Sequence, residues 1–273
     1  MENTLHIDIA SVLESKSKKL ARFTPSFLIR YLERIVHQKE LNEILELHGH
    51  KPGIEFVRGC FDYLDIKFCS VGLDKLPKSG RYLFVSNHPF GGLDGMMLVD
   101  ELAEYFGEAM IVANDLLMNI TPMHDLFVPV NKHGGQSREV LARFREAMNS
   151  DAAMASFPAG LCSRKIGGEI VDLPWKTTFL KDAIKSKRDI VPVYFDGQLS
   201  KFFYRLSNLR KNLGVKFNIE MLYLVDEMYK QQGGRFEICF GEPMPYAEFE
   251  SSRNLKQDAQ MVRDRVYQMR KQK

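Results

Sequence analysis

From Tyr82 onward, short apolar runs of strand type alternate with segments of helical period, and this alternation restricts the fold more than any other feature. The strand-type runs are 82–86, 110–112, 127–130, 154–157, 190–195 and 236–240. Between or after them, helical spacing appears at 93–106, 137–148 and 175–185, through the 200s and 220s, and in a terminal helix. Strands alternating with helices predict an α/β domain with a mostly parallel central sheet flanked by helices. In such a sheet, sites collect where strands end and loops begin.

The part before residue 59 reads differently. Thr24 and Pro25 form an N-cap followed by proline, and Phe27, Leu28, Tyr31, Leu32, Ile35 and Val36 recur at helical spacing, which predicts a helix over 24–47. We therefore expect an N-terminal helical extension over 1–58, with a membrane-associated role, an α/β domain over 59–250 and a C-terminal helix over 251–273. A chain of 273 residues is long enough to bury a sizeable core in one such domain.

The formal charge of +3 does not call for nucleic acid, so placement of charge matters more than its sum. Every charge from Ser15 to Leu32 is positive (Lys16, Lys18, Lys19, Arg22, Arg30), and the same holds from Gly197 to Ile219. The second stretch combines Lys201, Arg205, Arg210, Lys211 and Lys216 with Phe202, Phe203, Tyr204, Leu206, Leu209 and Leu213. That pattern suits an anionic lipid surface, and equally a solvated helix face over a core. Cys60, Cys69, Cys162 and Cys239 lack paired metal-ligand spacing and point to a reducing compartment without a disulfide framework. Glu2 and Asp8 do not suit a secretory signal, and no apolar run is long enough to span a bilayer. The expected location is cytoplasmic, peripheral on the inner face of a membrane.

One loop carries candidate chemistry. Ser86-Asn87-His88-Pro89-Phe90-Gly91-Gly92-Leu93-Asp94-Gly95 leaves an apolar strand and enters a helix. A histidine accepts a hydroxyl proton near neutral pH if a carboxylate at its other ring nitrogen fixes the tautomer. On one continuous helix His88 and Asp94 would stand about 240° apart. They meet only if Pro89, Gly91 and Gly92 turn the chain between them. Taken alone, the pair also reads as a structural histidine and a helix N-terminal acid.

On these residues the chain resembles the lysophospholipid and glycerolipid acyltransferases, whose first motif is a histidine and an aspartate with four residues between them. This chain has five, and its Asn-His-Pro-Phe-Gly-Gly-Leu-Asp-Gly resembles the hemolysin-like, lyso-ornithine-lipid O-acyltransferase branch. A second loop, Phe157-Pro158-Ala159-Gly160-Leu161-Cys162-Ser163-Arg164-Lys165, resembles the family's Phe-Pro-Glu-Gly-Thr-Arg-Ser-Arg segment, associated with the acceptor's glycerol phosphate. Ala159 replaces the glutamate and Cys162 the first arginine. A single Arg164 fork favours an acceptor bearing a carboxylate. Residues 112–117, 127–131 and 191–194 resemble the family's remaining motifs, and Asp172-Leu173-Pro174-Trp175-Lys176 resembles the branch. The resemblance spans roughly residues 60–250.

Together these features imply transfer of a fatty acyl group from an acyl carrier protein or coenzyme A thioester to a lysolipid hydroxyl. His88 is the expected general base and Asp94 its partner. Asn87, Phe90, Gly91, Gly92, Phe157, Pro158, Ala159, Gly160, Ser163, Arg164 and Lys176 are expected to bind substrate, Lys176 by meeting a donor phosphate, with backbone donors near Gly160 at the oxyanion. Lys201, Phe202, Phe203, Arg205, Arg210 and Lys211 are expected to meet membrane or carrier protein. Neither a cofactor nor a metal is required; His48-Gly49-His50 reads as a solvated turn, and Cys162 lacks a partner for nucleophilic work. The expected acceptor is a lyso-aminolipid, of the ornithine or glycine kind. Lysophosphatidic acid is the alternative acceptor, and a thioesterase or a non-catalytic lipid-binding module the alternative activities.

Overall fold

A computed structural model describes residues 6–17, 22–114, 120–130 and 137–272. Lys18, Lys19, Asn131 and the 115–117 part of one motif lie outside the described residues.

Apolar residues in the strands alternate between two faces, so each strand feeds two cores. Along β2 (Tyr82–Ser86), Tyr82 and Phe84 join one buried cluster while Leu83 and Val85 join the other. The remaining strands are β1 (Lys67–Val71), β3 (Ala109–Asn114), β4 (Phe127–Val130), β5 (Ala153–Ser156), β6 (Arg164–Ile166), β7 (Glu169–Val171), β8 (Asp189–Phe195) and β9 (Arg235–Phe240). Seven of them form one sheet in the order β1-β9-β8-β2-β5-β3-β4, and β6 and β7 form an antiparallel hairpin. β8, β2, β5, β3 and β4 run parallel, whereas β9 is antiparallel to β8 and parallel to β1. The sheet is thus mostly parallel, as expected.

The helices are α1 (Ile9–Lys16), α2 (Ser26–Ile35), α3 (Gln38–His48), α4 (Ile54–Leu64), α5 (Gly92–Phe106), α6 (Arg138–Asn149), α7 (Thr178–Ser186), α8 (Lys201–Asn212), α9 (Leu224–Tyr229), α10 (Ala247–Glu250) and α11 (Leu255–Gln268). α4 and α5 pack on one face of the sheet, through Phe56, Val57, Leu64, Leu93, Met97 and Leu102. α6, α7 and α11 pack on the other, through Met148, Phe179, Leu180, Val262 and Val266. Side chains such as Leu83, Phe84 and Val85, at most 1% exposed, each contribute about 1.5–3 kcal/mol by leaving water.

The path of the chain fixes where a site can form. From β2 it crosses one face through α5, and from β5 it crosses the other through α7. The ends of these adjacent strands therefore diverge and leave a crevice, the topological switch point of an open α/β sheet. Both loops singled out in the sequence leave from there.

The helix expected over 24–47 is two helices. His37 takes a left-handed conformation (φ 51°) between α2 and α3. Its ring stacks on Tyr229 at 4.1 Å and its Nε2 lies 3.1 Å from Asp226 Oδ1, contacts that helical periodicity cannot announce. The helix starts at Ser26 with Pro25, not Thr24, at the cap. α4 runs through position 58 into the same core as the sheet.

Candidate active site

The first loop is tied down before it reaches the histidine. The Asn87 side-chain amide donates to Phe195 O and accepts from Phe195 N–H, both at 2.8 Å, linking the ends of β2 and β8. Gly91 (φ 76°) turns the chain into α5, a conformation that glycine adopts at little cost. The turn brings Asp94 back, and its Oδ2 stands 2.8 Å from His88 Nδ1. Asp94 also accepts the Phe90 N–H at 3.0 and 3.1 Å and is fully buried.

With the carboxylate at Nδ1, the neutral ring carries its proton there and presents Nε2 as a base. The described residues give Nε2 no hydrogen-bond partner, the side chain is 18% exposed, and the ring stacks on Phe157 at 4.2 Å. Burial pushes the Asp94 carboxyl up, opposed by the His88 ring and the Phe90 amide, so its charge depends on keeping those partners.

The second loop meets the first at the backbone. Ser163 N–H donates to His88 O at 2.7 Å, and Ser163 Oγ donates to Asp172 Oδ1 at 2.6 Å. The same Asp172 oxygen accepts the His88 N–H at 3.2 Å, while Trp175 Nε1 donates to Asp172 Oδ2 at 2.9 Å. Sequence reading names Asp172 in the segment that resembles the branch but gives it no role. Its position between the hairpin and Trp175 gave no signal that it would reach His88.

The structure places the other expected substrate contacts as follows. Arg164 is 6% exposed; its Nη1 donates to Cys162 O at 2.6 Å and its Nη2 to Glu220 Oε1 at 3.1 Å, so its fork is already filled from inside. Asn87 and Ser163 are buried with their polar atoms engaged, and Phe90 packs against Phe236 at 5.0 Å. Gly91 lies under Leu224, and Pro158 and Ala159 are buried. Gly160 (φ 68°) is exposed, but its N–H donates to Phe157 O at 2.9 Å and is not free for an oxyanion. Gly92 is exposed and Phe157 half-buried. Lys176 is an exposed cation at this mouth: its Nζ lies 3.2 Å from where a Cβ on Gly160 would stand. Cys162 is 1% exposed and burial pushes its thiol up, so it is not a ready nucleophile.

The basic and aromatic stretch is split by α8. Lys201, Phe202, Arg205 and Lys211 face outward with Leu209, Leu213 and Phe217. Phe203 is fully buried, and Arg210 is half-buried with Nε 2.8 Å from Glu220 Oε2. Among the described residues, no helix is long and apolar enough to cross a membrane, and no group of three or more His, Cys, Asp or Glu side chains is placed to hold a metal.

A family model described as acyltransferase matches residues 11–273. The chain belongs to the acyltransferase family. It is 44% identical over 264 residues to a lyso-glycine lipid O-acyltransferase of Bacteroides thetaiotaomicron, covering 96% of this chain and 97% of that one. It is equally 44% identical to a lyso-glycine lipid O-acyltransferase of Phocaeicola vulgatus, covering 96% and 95%. The chain is an O-acyltransferase. Its structure is similar to the 1-acyl-sn-glycerophosphate acyltransferase PlsC of Thermotoga maritima, with a TM-score of 0.49, 17% identity and 89% of each chain covered.

Proposed function

We propose that this O-acyltransferase moves a fatty acyl group from a carrier-protein or coenzyme A thioester onto the hydroxyl of a lyso-glycine lipid. The observation that carries the reading is the His88–Asp94 contact of 2.8 Å, in a side chain that keeps 18% exposure. The acceptor reading is supported by two relatives named lyso-glycine lipid O-acyltransferases, each 44% identical over nearly the whole chain.

His88 Nε2 takes the proton of the acceptor hydroxyl as its oxygen attacks the thioester carbonyl, and Asp94 stabilises the imidazolium that forms. The tetrahedral adduct collapses with loss of the thiolate, which takes from His88 the proton that came from the acceptor hydroxyl. The oxygen–carbon bond forms, the carbon–sulfur bond breaks, and no redox partner is needed. Lys176, at the turn of the second loop, is suited to a phosphate of the donor. Phe202, Leu209, Leu213 and Phe217, interspersed with Lys201, Arg205, Lys211 and Lys216, give an outward surface suited to an anionic inner membrane face, which the N-terminal helices would share.

The test supplies a fatty acyl carrier-protein thioester and a lyso-glycine lipid. A diacylated glycine lipid is the expected product, reduced roughly 10²–10⁴-fold in rate by His88→Ala. Free fatty acid as the sole product, or near-normal transfer by His88→Ala, overturns the proposal.

A further inference from the structure

Asp172 is 1% exposed and lies outside the His88 and Arg164 loops, in the segment that resembles the branch. Its carboxylate receives donors from three places: the His88 amide at 3.2 Å and the Ser163 hydroxyl at 2.6 Å on Oδ1, and the Trp175 indole at 2.9 Å on Oδ2. Its own backbone is held as firmly, from a fourth place. Asp172 N–H donates to the Tyr267 hydroxyl at 2.7 Å, and Arg263 Nη2 donates to Asp172 O at 3.0 Å, both from α11. A buried carboxylate is costly to hold unless its lone pairs are filled, and here every partner belongs to the catalytic crevice or to the helix behind it.

We propose that Asp172 is a positioning residue for His88, the piece that sets the height of the histidine against the second loop and ties both to α11. The inference rests on His88 being the general base. Asp94 fixes the rotation of the imidazole, and Asp172 fixes the backbone from which it projects. The second loop is held in register by the same carboxylate, because Ser163 reaches Asp172 through its hydroxyl and His88 O through its amide. This gives Ser163 a part in the reaction without substrate contact. It also gives α11, which lies outside the motifs, a part in building the crevice through Tyr267 and Arg263.

Asp172→Asn keeps the shape and removes the match. An amide has one acceptor oxygen and one donor nitrogen. With its oxygen toward His88 and Ser163, its NH₂ faces the Trp175 indole N–H, donor against donor. Because misplacing a reacting group by about 1 Å costs roughly 10²-fold, kcat should fall by roughly that factor while KM for acceptor changes little. Trp175→Phe removes the opposed donor, so the double variant Asp172→Asn/Trp175→Phe should regain most of the lost kcat; a role in stability alone predicts no such rescue of turnover.

The experiment compares kcat, KM and melting temperature for Asp172→Asn, the double variant, Ser163→Ala and Tyr267→Phe, with His88→Ala beside them. Ser163→Ala and Tyr267→Phe each delete one hydroxyl and leave the carboxylate in place. If Asp172→Asn fails to fold, they decide the matter: each should lower kcat several-fold at constant KM. Normal kcat in Asp172→Asn, or in both hydroxyl deletions, overturns the proposal, as does loss confined to melting temperature. Those outcomes leave His88 untouched as the base, whereas an active His88→Ala would remove the base itself.

Discussion

Arg164 Nη2 stands 3.1 Å from Glu220 Oε1, and this contact turns a motif arginine inward. Arg210 Nε approaches the other oxygen at 2.8 Å, and Ser207 Oγ donates to Oε1 at 3.2 Å, so a fully buried carboxylate ties the second loop to α8 and the segment after it. Removing one partner of a buried pair costs about 3–5 kcal/mol when the other charge is left bare, and here Arg210 still holds Glu220, which makes the cost smaller. Arg164→Ala should therefore lower unfolding free energy, by less than that amount, in a denaturant titration. If KM for the acceptor rises sharply and stability holds, Arg164 reaches substrate after all.

The same carboxylate gives stability a pH dependence of definite sign. Burial opposes the charge of Glu220, but its own backbone amide, Arg210 and Arg164 outweigh it and hold the carboxyl below its ordinary value of 4.5. For a lowered carboxyl, the native state binds fewer protons than the unfolded chain through that window. Its contribution is complete above 4.5 and is lost as pH falls through the lowered value. Thermal melts of Glu220→Gln should be lower than wild type above that window, with the gap closing in acid; a gap constant with pH contradicts the assignment.

Asp94→Asn tests the tautomer directly. An asparagine can offer its NH₂ to His88 Nδ1, which would move the ring proton to Nε2 and leave no base facing the crevice. The expected loss is roughly 10²–10⁴-fold in kcat, with a far-ultraviolet spectrum like that of wild type. Activity close to wild type would mean that Nδ1 is not held as described.

The outward face of α8 and the segment after it should govern lipid association. Each lysine or arginine near an anionic bilayer contributes about 1 kcal/mol, an effect that salt screens. Replacing Lys201, Arg205, Lys211 and Lys216 by alanine should release the protein from vesicles containing anionic lipid in a sedimentation assay, leaving binding to zwitterionic vesicles unaltered. Equal retention by both vesicle types would place the contact elsewhere.

Much of this was legible in residue order. Tyr82–Ser86 reads as a buried strand because all five positions are apolar or small, and the spacing of Leu93, Met97 and Leu102 reads as a helix face. The meeting of His88 and Asp94 required only the glycines between them. What was not legible shares one cause: partners far apart in sequence. Glu220 is 56 residues from Arg164, Tyr267 is 95 from Asp172, and His37 is 189 from Asp226. No local pattern foretells such pairs. Arg164 therefore reads as a substrate contact and Phe203 and Arg210 as a membrane or carrier-protein contact, whereas Arg164 and Phe203 are buried and Arg210 is half-buried against Glu220. β1 escaped notice for a different reason: as an edge strand its exposed and half-buried residues alternate without a continuous apolar run.

The hydrogen bond from the Asp172 amide to the Tyr267 hydroxyl bears on how the enzyme is made. Ribosomes deliver residues 88 and 163 well before residue 267, and domains begin folding as they emerge. A nascent chain can thus assemble the sheet through β8 while the support behind its histidine is still inside the exit tunnel. Transfer competence would then wait until α11 settles against β8.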